Sequence, residues 1–209
     1  MSQQSLARAS TARPRLRTLS IKFASLMRWL HIYLSMFGLF ALLFFSATGI
    51  TLNHPDWFSV GPARSGEAEG AIRPEWLKNV AKLEIVEQLR RTHAIRGAVA
   101  EFTVDDAECV VAFKGPGYSA DAFIDRSTGM YRLNETSHGL VAILNDLHKG
   151  RDTGKVWSIV IDATAVLLIL ASLSGLVLLF YIKRRRISGV AVGIFGVIVL
   201  AAIGYFLVP

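Results

Sequence analysis

Five histidines are the residues of this chain best suited to chemistry: His31, His54, His93, His138 and His148. Imidazole is the commonest protein metal ligand and moves protons near neutral pH. A haem iron held by two imidazoles needs histidines from facing segments, so position along the chain decides which of these five can act together. A lone histidine near an apolar block is often an interfacial residue or a hydrogen-bond partner, and that reading stays open beside the ligand reading. Asp162 is the one ionisable residue inside the second of three apolar blocks. A carboxylate there is costly unless it faces a bundle interior or water, so it reads as a partner for a histidine, as part of a proton route, or as a group near enough to the interface to stay hydrated. The single cysteine, Cys109, excludes an intrachain disulfide, and its neighbours Val110, Val111 and Phe113 mark it as a small core residue. No zinc-type Cys/His cluster, phosphate-binding glycine loop or soluble-enzyme signature is present.

The blocks themselves set the frame. Trp29–Pro55 contains no Asp, Glu, Lys or Arg, Val156–Ile182 contains only Asp162, and Ile187–Val208 contains none. Each is long enough to cross a hydrocarbon core of about 30 Å, which takes about 20 helical residues. The net charge of +7 could point to nucleic acid, but it lies in the wrong places for that. Arg8, Arg13, Arg15, Arg17, Lys22 and Arg28 precede the first block without an acid among them, and Lys183–Arg186 separates the second block from the third, whereas residues 56–155 carry slightly more acid than base. This is the positive-inside pattern of a membrane protein. It predicts a cytoplasmic N-terminus, an outer segment of about 100 residues between the first two blocks, and an outer C-terminus. The first block is too long for a signal peptide and lacks an obvious cleavage site, so it reads as an anchor.

The predicted organisation is a basic arm over 1–25, spanning helices over 26–53, 155–182 and 187–208, an outer α+β domain over 54–136, and an amphipathic interfacial helix over 137–150. Within the outer domain, residues 58–72 are rich in Gly, Ala, Ser and Pro and read as a linker. Pro74 opens a helix whose apolar face is Trp76, Val80, Leu83 and Val86. Strands follow from Val99 onward, with Ala100, Phe102 and Val104 facing inward, and with turns at Asp105-Asp106, Lys114–Gly117 and Asp125–Gly129. One helix and three or four antiparallel strands are expected. Leu140, Ile143, Leu144 and Leu147 share one side of the interfacial helix, and His93 reads as a solvated surface residue. Phe37, Phe40, Phe44 and Phe45 read as an aromatic-rich lipid face, with the lining of a macrocycle pocket as the alternative. Small residues at Ala171/Gly175 and Gly189/Gly193 permit close helix contact.

Several short motifs, in order, carry a resemblance. Trp29-Leu30-His31, Gly38, Thr48-Gly49-Ile50, Leu52-Asn53-His54, Leu147-His148-Lys149-Gly150 and Ser174-Gly175-Leu176 resemble the helices of the PepSY-associated transmembrane family, and the helix-then-strands order with Asp125-x-x-Thr128-Gly129 resembles a PepSY domain. The resemblance implies a membrane α-helical fold of three transmembrane helices with a small α+β PepSY-like domain, in the bacterial inner membrane with residues 54–155 periplasmic. Larger relatives are associated with siderophore–iron handling, and some act as haem-carrying ferric reductases whose membrane histidines hold the haem. By that resemblance haem b is the implied cofactor, with His31, His54, His148 and His138 as candidate ligands. His54 lies 23 residues after His31, about 35 Å along a helix, so the two belong to opposite membrane faces. His54 and His148 share the outer face and can serve one haem, with His138 as the substitute. His31 then needs a copy of itself in a homodimer. The implied partners are the lipid bilayer, a periplasmic iron-siderophore or a flavoprotein. The rival expectation is a non-enzymatic, membrane-anchored PepSY module that binds or regulates a periplasmic peptidase.

Overall fold

The computed structural model describes residues 3–58 and 63–208, with side chains from residue 18 onward. The chain divides into two compact units, residues 1–42 with 163–209, and residues 43–162. Among the described residues three helices are long and apolar enough to cross a membrane: α1 (Gln3–Asn53, with its apolar span over Thr18–Asn53), α5 (Gly154–Tyr181) and α6 (Arg186–Phe206). The expected arm over 1–25 continues α1 in backbone, and most of its side chains lie outside the described residues. Within the first unit α1 and α5 approach closely at Gly38, where an added Cβ would stand 2.5 Å from Leu167 Cδ2. Glycine at such a crossing lets two helix backbones meet. α6 buries none of its residues.

The second unit holds an antiparallel sheet of five strands in the order β1-β5-β4-β3-β2. The strands are β1 (Arg64–Ala71), β2 (Ala98–Val104), β3 (Glu108–Gly115), β4 (Tyr118–Asp125) and β5 (Met130–Ser137). Two helices, α2 (Pro74–Lys78) and α3 (Lys82–His93), cover one face, and α4 (Leu140–Lys149) follows β5. The core joins Leu77, Ile85, Val86 and Leu89 of the helices to Val111, Phe113, Ile124 and Leu133 of the strands. Cys109 is among these buried residues, and burial raises its thiol pKa. Inward Ala120 and Ala122 on β4 leave space for these larger side chains.

Three expectations are corrected here. Residues 64–71, read as linker, form β1. The sequence Arg-Ser-Gly-Glu-Ala-Glu-Gly-Ala has no β-branched or aromatic residue, so its strand propensity is low, and only its pairing with β5 makes it a strand. The small residues have a packing reason: at Gly70 an added Cβ would meet the Tyr131 ring at under 3 Å, so glycine lets that ring lie across β1. The single helix after Pro74 is two helices, broken at Val80, which takes φ 47° and leaves its side chain exposed. In one unbroken helix Leu77 and Leu89 would point about 120° apart. The break lets both reach the core. On β2 the register shifts between Val99 and Glu101, so Val99 packs against the core with Phe102 and Val104, in place of Ala100.

The expected Asp125–Gly129 turn is present and serves the fold. Asp125 Oδ1 accepts from the Ser127 hydroxyl at 2.6 Å, from Ser127 N–H at 2.8 Å and from Thr128 N–H at 3.0 Å. These donors, the Ser127 hydroxyl first, hold the carboxyl below its ordinary pKa. Gly129 takes φ 76° and returns the chain so that Ile72 N–H donates to Gly129 O at 2.8 Å, which starts the β1–β5 ladder.

Candidate functional site

His148 lies near the end of α4, two residues before the left-handed Gly150 that stops the helix. Its Nδ1 is 2.6 Å from Thr48 Oγ1 on α1. The Thr48 hydroxyl has one proton and donates it to Phe44 O at 2.6 Å, a bond back to its own helix. Thr48 therefore receives a proton from His148, so His148 carries hydrogen on Nδ1 and Nε2 keeps a free lone pair in the neutral ring. Phe45 and the imidazole stand edge to face with ring centres 5.2 Å apart, and Gly49 borders the ring. Thr48 is almost fully buried.

His31 in the other unit repeats the arrangement with different residues. Its Nδ1 lies 3.0 Å from Ala171 O, which can only accept, so Nδ1 again carries hydrogen. Ser174 Oγ stands 3.3 Å from the same nitrogen and donates its own proton to Ala171 O at 2.7 Å. Gly175 makes room for the ring, since an added Cβ would sit 2.8 Å from His31 Cε1. Among the described residues no group bonds Nε2 of either histidine. A histidine anchored through Nδ1–H with Nε2 free is the form in which imidazole ligates metal, and such outer hydrogen bonds orient the ring. Each site offers one imidazole nitrogen of the donor type that haem iron takes. Thr48 and Gly49 thus adjoin His148 in one unit, and Ser174 and Gly175 adjoin His31 in the other. The motifs named these residues; their pairing comes from the fold.

The remaining candidates are placed differently. His54 stacks on Trp57 at 3.8 Å with the rings nearly parallel, and Asn53 Nδ2 is 3.3 Å from its Nε2. No contact joins it to His148. The exposed His138 lines a cleft of about 550 Å³ with Thr51, Pro55, Leu140 and Asn145, where Thr51 donates to Asn145 Oδ1 at 2.6 Å. Asp162 is exposed on α5 with no partner among the described residues. His93, read as solvated, is half-buried and bonds the Tyr131 hydroxyl at 2.7 Å, which ties the end of α3 to β5. Of the four phenylalanines, Phe37 and Phe40 are exposed and Phe45 touches His148. Among the described residues no group of three or more His, Cys, Asp or Glu side chains is arranged to hold a metal ion.

Asp146 was not anticipated. Its carboxylate is buried, accepts Gly117 N–H at 2.8 Å and pairs with Arg151. His138 N–H donates to Gly117 O at 2.8 Å, so the β3–β4 turn is gripped from both sides by α4 and the segment before it. The turn fits tightly against α4 at Gly117, where a Cβ would lie 2.5 Å from Ile143 Cγ1; the sequence marked the turn but not this contact. It fixes the helix that carries His148.

Neither a curated relative nor a solved structure matches this chain. A family model does, described as PepSY_TM-like, over residues 25–209. It covers every described element except the start of α1, and with it the chain belongs to the PepSY_TM-like family.

Proposed function

We propose that this PepSY-type membrane protein binds haem b through its membrane histidines and transfers electrons, with a ferric siderophore or a periplasmic flavoprotein as acceptor. One observation carries the reading: in two separate places an imidazole is anchored through Nδ1–H with Nε2 left open, His148 on the Thr48 hydroxyl and His31 on the Ala171 carbonyl. Bound haem iron would supply a one-electron couple. The chain's own residues do the rest. Thr48 and the Ala171 carbonyl hold the ring protons, Gly175 clears space beside His31, and Phe45 shields one side of His148. His54 and His138 are the imidazoles of the same unit that can complete the ligation at His148, and a second copy of the chain would complete it at His31.

The visible spectrum tests this directly. Protein purified in detergent after expression with a haem precursor should show Soret and α bands that sharpen on dithionite reduction. The bands should weaken or vanish in His148→Ala and His31→Ala. A colourless wild-type protein overturns the reading and leaves the rival, a PepSY module that binds or regulates a partner such as a peptidase.

A further inference from the structure

The two edges of the sheet differ in how they end. At the β2 edge a bulge between Val99 and Glu101 disrupts the ladder. Proteins commonly blunt an edge this way, because unpaired backbone groups invite another strand. β1 has no bulge, and its edge is marked only by the charged side chains of Arg64, Glu67 and Glu69. It pairs with β5 without a register shift from Arg64↔Ser137 to Ala71↔Met130, and it contains no Pro or Lys. Gly66 opens onto empty space.

The direction of each backbone group on β1 follows from one bond. Ile72 N–H donates to Gly129 O, which makes that pair a bonded one. Bonded and non-bonded pairs alternate in an antiparallel ladder. Gly70, Ala68 and Gly66 therefore bond β5, while Ala71, Glu69, Glu67 and Ser65 turn their N–H and C=O groups outward. Ala71 O is capped by Gln88 Nε2 at 2.9 Å, as this direction requires. Among the described residues nothing bonds the outward groups of Ser65, Glu67 and Glu69.

Charge selects the occupant. The side chains of Glu67 and Glu69 lie on the sheet face that α2 and α3 do not cover. Glu67 stands opposite Asn134, with Asp121 beyond it on β4, and Glu69 stands opposite Arg132. A second copy pairing antiparallel through the same strand would set these glutamates against each other, and like charges across a ladder destabilise it. We propose that β1 takes an extended polypeptide segment as a sixth strand, and that this segment carries Lys or Arg at the alternate positions beside Glu67 and Glu69. Backbone bonds supply the attachment and the glutamates the selectivity. Haem occupancy plays no part in it.

The test uses the full chain in zwitterionic lipid nanodiscs and a fluorescent synthetic peptide of alternating Lys and Val. Its counterpart has Glu for every Lys. The basic peptide should bind at least about tenfold more tightly, with affinity falling as salt is added, and should slow amide exchange at Ser65, Glu67 and Glu69. Glu67→Pro removes one outward N–H without touching the β5 ladder, a change that edge strands tolerate. It should abolish peptide binding while exchange in β3 and β4 stays slow. Glu67→Lys with Glu69→Lys should reverse the peptide preference. Failure of the basic peptide to bind, or undiminished binding to Glu67→Pro, overturns the proposal. So does concentration-dependent protection of β1 in the absence of peptide, which would assign the edge to a second copy.

Discussion

The single proton of the Thr48 hydroxyl goes to Phe44 O, and this leaves the oxygen free to accept from His148. Thr48→Val keeps the side-chain shape and removes that acceptor. Loss of a hydrogen bond behind a metal-ligating histidine typically weakens binding about 10–100-fold. Haem titration of the variant should show a drop of that size, with the fold intact by circular dichroism. Asp125 behaves differently, because its hydrogen bonds concern stability. Its folded pKa is depressed, so its contribution is fully present above the ordinary carboxylate range and fades as pH falls through the folded value. Asp125→Asn should lower the thermal midpoint near neutral pH, and the gap from wild type should narrow on strong acidification, as followed by circular dichroism. The histidines were legible as candidates from residue type alone. Their partners were not: Thr48 lies 100 residues from His148 and Ser174 lies 143 from His31. Only folding reveals that a hydroxyl in an apolar block is an anchor.

At the level of elements, hydrophobic pattern did most of the work where it was strong. The turns at Lys114–Gly117 and Asp125–Gly129 and the inward alternation of Tyr118, Ala120 and Ala122 follow from residue type, and β3, β4 and β5 with them. β1 gave no such signal, because Gly70 is glycine to admit the Tyr131 ring and the strand's pairing partners lie 59 to 73 residues away. The break at Val80 was equally hidden, since a β-branched residue at positive φ is chosen by the core and against its own preference. Leu89 is where α3 depends most on that core, being fully buried among the sheet residues. Leu89→Ala should destabilise the extramembrane domain by about 2–5 kcal/mol, the usual range for a buried leucine. Denaturant unfolding followed at the tryptophans or by amide exchange would measure it.

For the whole molecule, the apolar blocks and their basic flanks identified three helices of spanning length. The orientation proposed from those flanks places Gly97 outside. A phosphatase fused there should be active and a green fluorescent protein dark, and the opposite pair of results would reverse the topology. A shortened chain ending at Ile182 should keep the thermal midpoint of the sheet domain and any haem spectrum, because α6 contributes no buried residue and no histidine. Loss of the spectrum on truncation would show that α6 acts through contacts with another molecule. α6 buries no residue and approaches α5 at Gly189, where an added Cβ would stand 2.5 Å from Leu179 Cδ1, so away from that approach its sequence is free to follow its surroundings. Drift there should track bilayer thickness from one lineage to the next, while Gly38, Thr48 and Gly175 stay fixed by the side chains pressed against them.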